Sequence, residues 1–413
     1  MMSPRKLRIV YTNHTGKVSG AERVLLNMLR GLDRTRYEPF VLCPAEKTLQ
    51  LMLGREGVPY ATMPTLQARF TKHPGKLFRY ILSFLKTMIA TRRQIALCDP
   101  DFIHANTVRA GIAATVATFG NTTPVIWHVH DTLPRHPLSS LIRLLSFTSR
   151  RTRIIAVSDA TSKAFRGHLP FKNRACVIHN GTDLSRFPMK GRGESQLKRE
   201  LGLSEQSFLI CAVGQICARK GLLELLEAFS QIYDETPDIH LAIVGKPVFA
   251  HEETYLKKLV DFACATAISD RVHFTGERSD ISTILQSADL LVLNSSDEPF
   301  GLVLVEAMSS GTPVLATRVG GIPEIVTDQE SGWLIDKDNI TALSSKIFEL
   351  SRAPDQLAHG AQVAHDRVCP QFSLERFLTD LHAFYARLTK LPCAEQKLHA
   401  PALLAELHDK QGD

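Results

Sequence analysis

The 413-residue chain has no apolar run approaching the roughly 18 to 20 residues that cross a bilayer, so no membrane-spanning helix is expected. Behind Arg5, Lys6 and Arg8 stand only Ile9, Val10 and Tyr11, too few for a secretory signal but enough to begin a first strand. None of the eight cysteines forms a Cys-x-x-Cys pair, and several lie in strand-like apolar runs. That argues against a zinc or disulfide scaffold and for a reduced, cytoplasmic setting. No internal repeat or low-complexity tract is present, and no Gly-x-Gly-x-x-Gly follows the first strand, so a dinucleotide reading is weak.

What is present is 44% hydrophobic residues on a chain too long for one core, so about two domains are expected. The formal charge of +7 conceals an asymmetry. Residues 1–190 carry 29 Lys plus Arg against 10 Asp plus Glu, and the remainder 20 against 32. A basic half favours an anionic surface as partner; an acidic half must chelate any small anion locally.

The first half alternates short apolar strands, near 7–11, 40–43, 101–105, 125–128, 154–158 and 176–179, with amphipathic helices. A second alternating series, near 209–213, 240–244, 272–275, 290–293 and 314–316, follows a polar, glycine-containing linker at 190–195. Strand-helix alternation of this kind predicts α/β domains with parallel, doubly wound sheets.

The chemistry concentrates in residues 290–334. A wholly apolar strand, Leu290 to Leu293, opens into the polar loop Asn294-Ser295-Ser296-Asp297-Glu298-Pro299, at the edge where such sheets bind ligands. Phe300, Gly301 and Leu302 lead into a helix of about nine residues, stopped by Gly311 and Pro313. Its first amides, at Gly301, Leu302 and Val303, form a candidate phosphate site. Glu298 and Glu306 bracket it, and Glu306 lies on the helix face that begins at Leu302. A carboxylate there repels a phosphate but suits hydroxyls beside one, which points to a diphosphate flanked by polyols, as in a nucleotide sugar.

This stretch, with Gly-Thr-Pro-Val at 311–314, Gly320-Gly321 and Pro323-Glu324, resembles the Glu-x7-Glu signature of retaining glycosyltransferases of family four, whose fold is GT-B: two Rossmann-like domains facing across a cleft. The resemblance implies that Glu298 touches the donor sugar, Glu306 the ribose, and the backbone of Phe300 to Val303 the diphosphate. It divides the chain into an acceptor-side domain (1–188), a nucleotide-sugar-binding domain (189–371), a helix crossing back to the first domain (372–390) and a tail (391–413).

Three further stretches fit. Gly214-Gln215-Ile216-Cys217-Ala218-Arg219-Lys220-Gly221 precedes a helix, where cations are unfavourable unless an anion joins them, so Arg219 and Lys220 are donor-phosphate candidates. The resemblance would put arginine where Gln215 stands. Ser19-Gly20-Ala21-Glu22 opens a helix with Ser19 as cap and is similar to the family's Gly-Gly-x-Glu loop, with Gly16 and Gly20 as candidates for close approach to the donor. Trp127-His128-Val129-His130-Asp131 ends a strand; the family implies a catalytic histidine beside the transferred sugar, assigned to His130 with Asp131 orienting it, while a metal lacks further ligands at the required spacing. The Asp-x-Asp pairs at 99–101 and 336–338 read as loops, so no metal is expected.

Two basic, apolar-rich stretches, 72–93 and 133–153, suit helices lying in an anionic membrane interface, or domain helices whose apolar side is core. The expected function is therefore transfer, with retention, of a sugar from a nucleoside diphosphate donor to a glycan or lipid-linked glycan in envelope or exopolysaccharide assembly. Catalysis is assigned to His130, Glu298 and Lys220. No cofactor and no nucleic-acid partner are expected, and an anionic membrane surface, at its inner face, is a candidate partner. The rivals are a sugar-nucleotide epimerase of the same architecture and a non-catalytic nucleotide-sugar- or membrane-binding protein.

Overall fold

A computed structural model describes residues 5–66, 73–133, 136–148, 151–167, 174–189, 191 and 195–389. The tail at 391–413 and most of the linker at 190–195 lie outside the described residues, as do residues 134, 135, 149 and 150 of the second basic stretch and Lys72 of the first.

Among the described residues two parallel sheets form. The first holds β1 (Leu7–Thr12), β2 (Tyr37–Pro44), β3 (Tyr60–Met63), β4 (Phe102–Ala105), β5 (Val125–Val129), β6 (Thr152–Ala156) and β7 (Ala175–Val177), in the order β3-β2-β1-β4-β5-β6-β7. The second holds β8 (Phe208–Val213), β9 (Ile239–Val244), β10 (Val272–Gly276), β11 (Leu290–Leu293), β12 (Val314–Thr317) and β13 (Trp333–Ile335), in the order β10-β9-β8-β11-β12-β13. The apolar runs become strands because helices cover both faces of each sheet, so alternation is not needed: β4, β5, β11 and β12 are buried at every position. The sequence pattern did not expect β3, an exposed edge strand without an apolar run long enough to read; β13, at one edge of the second sheet, is only three residues long and ends just before Asp336.

Both sheets reverse winding at a central pair, β1/β4 in one and β8/β11 in the other. Ligands bind at such switch points because the loops diverge there and leave a crevice. The loop after β8, carrying Arg219 and Lys220, therefore lies beside the loop after β11, carrying Glu298. Helix Leu302–Ser309 is anchored by Leu304, Val305, Ala307 and Met308, all fully buried; each larger side chain contributes roughly 1.5–3 kcal/mol.

The last described helix, Leu374–Thr389, has its apolar residues at positions 377, 381, 384, 385 and 388, one stripe of a helix. That stripe is buried in the first domain, against β1, β2 and helix Gly20–Arg30. The preceding helix runs through Pro370 to Gln371, and a bridge between Thr182 and Ser373 ties the crossing point to the end of the first domain.

Candidate active site

Glu298 is the electrostatic centre. Lys220 Nζ donates to its Oε2 at 2.6 Å, Ser295 Oγ donates to the same oxygen at 3.1 Å, and Arg219 Nη1 stands 3.6 Å away. Burial works against ionisation, but Lys220 and Arg219 together outweigh it and hold the carboxyl below its ordinary range. Arg219 also donates to the Asp297 carbonyl at 2.7 Å. The sequence-expected pair of cations and the first glutamate of the signature thus form one cluster.

Glycines make the cluster possible. A Cβ on Gly221, whose φ is +60°, would lie 2.0 Å from the Asn294 carbonyl oxygen, and one on Gly320, φ +53°, would lie 1.9 Å from that of Glu298. No other residue allows both the left-handed backbone and the approach. The Gly321 amide donates to the Glu298 carbonyl at 2.9 Å, and the first domain adds Ser158 Oγ to the Pro299 carbonyl at 2.7 Å.

Glu306 differs in kind. It is buried, and no hydrogen-bond partner for its carboxylate is found among the described residues; burial pushes its pKa from 4.5 up to about 7, against the distant pull of Arg23 and Arg186. Between the two glutamates run buried Phe300, Gly301 (φ +108°) and the first helical residues, Leu302 and Val303, whose amides precede the first intrahelical bond. This arrangement offers amide dipoles and two cations for an anion, with an unpartnered carboxylate for hydroxyl donors beside it.

Across the cleft, Gly16 and Gly20 divide. A Cβ on Gly16 would meet Glu46 Cβ at 2.4 Å, so Gly16 serves packing; around Gly20 there is nothing within 4 Å. Glu22 accepts from the Ser19 amide and hydroxyl, at 3.0 and 2.6 Å, and from Asn13 Nδ2 at 3.0 Å, which fixes the loop between them.

His130 lies at the end of β5 and is buried, with Nε2 lacking a partner among the described residues; burial lowers its pKa to about 3 and keeps it neutral. Among the described residues Asp131 makes no hydrogen bond to it: desolvation raises the pKa of its carboxyl, which feels Arg109, Arg219 and Asp297 instead. The orienting contact comes from His128, whose ring lies 4.1 Å from that of His130, centroid to centroid. His128 Nδ1 bonds His104 Nε2 at 3.2 Å, His104 Nδ1 bonds the Tyr385 hydroxyl at 2.7 Å, and that hydroxyl bonds Tyr11 at 3.3 Å. If Tyr11 donates to Tyr385, each bond in the row has one donor and His128 carries its proton on Nε2, which is buried without a partner among the described residues. Sequence reading missed His104 and Tyr385, which are 281 residues apart.

Gln215, where the resemblance puts arginine, donates to Glu252 Oε1 at 2.6 Å; Glu252 Oε2 in turn accepts the amides of Val248 and Phe249. Lys17, also missed, reaches that loop from the first domain, donating to the Val248 carbonyl at 2.9 Å. Glu324, a residue of the signature, accepts from the amides of Asp159 and Ala160 at 2.8 and 2.9 Å and bonds His179 Nε2 at 2.9 Å, locking the domains together beside Phe300. Asp99 caps a helix and Asp336 faces Arg318, and among the described residues no three His, Cys, Asp or Glu side chains are grouped to hold a metal ion.

Two facing Rossmann-like sheets with a cation-rich donor-type cleft are the GT-B architecture. The profile for glycosyl transferases group 1 matches residues 194–363 and that for glycosyltransferase family 4 matches residues 18–186, and the chain belongs to this family. N-acetyl-alpha-D-glucosaminyl L-malate synthase of Bacillus anthracis is 31% identical over 47% of this chain and 49% of its own length. D-inositol 3-phosphate glycosyltransferase of Corynebacterium urealyticum is 32% identical over 62% of each chain. The chain thus spans about half to six-tenths of the curated relatives it matches. HepE of Anabaena, solved in complex with UDP and glucose, is 26% identical with a TM-score of 0.79, covering 92% of this chain and 99% of that one.

Proposed function

We propose that the chain is a retaining glycosyltransferase that takes a sugar from a nucleoside diphosphate donor and passes it to a saccharide or lipid-linked saccharide in envelope or exopolysaccharide assembly, working at an anionic membrane surface. The observation that carries the reading is the cluster of Lys220, Arg219 and Glu298 beside the first amides of helix Leu302–Ser309, with Glu306 buried along the same helix and without a partner among the described residues.

The charge that develops in the transition state is that of the departing diphosphate, so stabilisation must come from groups fixed beforehand around it. Lys220 keeps two ammonium hydrogens free of Glu298 for the phosphate, Arg219 adds a second cation, and the Leu302 and Val303 amides add dipoles without needing to move. Glu298, ionised, accepts the sugar hydroxyls, and Glu306 accepts the ribose hydroxyls. His130, neutral, hydrogen-bonds the sugar from the acceptor side. Retention follows from attack on the face the diphosphate leaves, with a phosphate oxygen taking the acceptor proton. The complex of HepE with UDP and glucose supports a donor of this class.

The test is a panel of nucleotide sugars offered to the wild type and to Glu306→Ala, with nucleoside diphosphate release and thermal shift read together. One donor that shifts and turns over in the wild type and does neither in the variant supports the reading. Epimerised donor without release of nucleoside diphosphate supports the epimerase instead, and binding without either reaction a non-catalytic protein.

A further inference from the structure

Two helices packed on the first sheet bury polar side chains and expose apolar ones. Helix Pro74–Cys98 turns Thr87, Thr91 and Ile95 inward, fully or almost fully buried, and turns Phe78, Ile81, Leu82, Leu85 and Ile89 to solvent, each between 41% and 67% exposed. Those five positions form one helical stripe, and Arg79, Lys86 and Arg93, seven apart and all exposed, run along one flank of it. Helix Pro137–Thr148 does so in part: Ser139 and Ser146 are buried and Leu138, Leu141 and Leu144 exposed, while Ile142, Leu145 and Phe147 pack on the core. Helix Val108–Ala117 packs against both, and Phe119, just beyond its end, is 83% exposed. Ten of the fifteen large apolar side chains exposed among the described residues belong to this one layer.

Water gives no reason for such an arrangement, because exposing leucine while burying threonine loses on both exchanges unless something apolar covers the stripe. The charge says what the cover is. The three helices contain seven Lys or Arg and not one Asp or Glu. A protein partner of mixed charge would find no acid here to pair its own cations; a lipid surface with anionic headgroups and apolar chains meets both the basic flank and the stripe.

We propose that this layer docks on an anionic lipid bilayer, helix Pro74–Cys98 lying in the interface plane and Phe78, Ile81, Leu82, Leu85 and Ile89 entering the acyl boundary. In parallel strand-helix units each helix starts from the carboxyl edge of the sheet, so the first turns of the helices that follow β3 and β5 stand on the side of the sheet that carries His130. Docking therefore brings the cleft mouth to the bilayer and lets an acceptor enter from the membrane plane; this consequence rests on the proposed lipid-linked acceptor, while the docking itself does not.

The experiment is flotation of the full chain with vesicles of phosphatidylglycerol and phosphatidylcholine, and with phosphatidylcholine alone, at low and high salt. The expected result is flotation with the anionic vesicles only, weakened by salt, and reduced at least about tenfold in Ile81→Glu/Leu85→Glu. That variant folds, since both side chains are exposed, and keeps any donor-induced thermal shift. Absence of wild-type flotation, or equal flotation of the variant, overturns the proposal. So does a wild type that ignores vesicles but self-associates in sedimentation velocity through the same two residues, which makes the face a contact between copies. A donor response without flotation sinks the docking and spares the transferase; flotation without any donor response does the reverse.

Discussion

Glu306 gives a prediction whose size follows from its surroundings. The carboxyl is buried, unpartnered among the described residues, and raised from 4.5 to about 7. A carboxyl whose folded-state pKa exceeds its unfolded value binds protons more tightly in the native state, so stability is highest below the unfolded value, falls as pH rises from about 4.5 to about 7, and is level beyond. The full difference corresponds to about 3 kcal/mol at about 1.4 kcal/mol per unit. Glu306→Gln keeps the shape and removes the charge, so the ligand-free variant should exceed the wild type by about 3 kcal/mol near pH 8 and by under about 1 kcal/mol near pH 5. Urea unfolding at both values measures this. A variant-minus-wild-type difference that is the same at both refutes the reasoning, because the cost then does not come from ionising a buried acid. Donor binding runs the other way: the ribose needs the ionised acid, so a donor bound near pH 6 should release close to one proton, visible as a buffer-dependent heat in calorimetry.

Lys220→Ala leaves Glu298 buried with only Arg219 near it; a loss of about 3 kcal/mol is expected by urea unfolding, together with loss of the donor-induced thermal shift, and less destabilisation when Glu298→Gln is added. Gly320→Ala forces a Cβ onto the Glu298 carbonyl from a left-handed backbone and should cost about 2 kcal/mol or more, whereas Gly20→Ala, with open space at a helix start, should be neutral or slightly stabilising. Tyr385→Phe strands the buried His104 Nδ1 and should cost about 1–3 kcal/mol, with altered His104 and His128 tautomers in nitrogen-detected NMR; unchanged ring-nitrogen shifts would show that the row does not set them.

Much of the donor half was legible because its parts are near in sequence. Glu298, the turn at Gly301 and Glu306 lie on one loop and one helix, so spacing alone puts them together, and the strand ahead of them is apolar at every position. Lys220 is 78 residues away, yet its position just before a helix already pointed to an anion. The orientation of His130 was not legible: Asp131, next in sequence, makes no bond to it among the described residues, and the contact comes from His128, set in turn by strands β1 and β4 and a helix near the end of the described chain. The two basic helices were equally undecided, since an apolar stripe faces a core or faces out with the same periodicity.

The sequence by itself determined most of the alternation of strands and helices, the family signature and the loop and helix that hold Glu298 and Glu306, because these depend on local periodicity, capping and turn chemistry. The tertiary structure alone decided that Lys220 lies against Glu298, that Glu306 has no partner among the described residues, that Gln215 serves a loop, that Tyr385 reaches the histidines, and that the apolar side of helix Pro74–Cys98 faces outward. Each of these depends on which distant segments exclude water from a given side chain, and that is a property of the packed molecule that no window of residues contains.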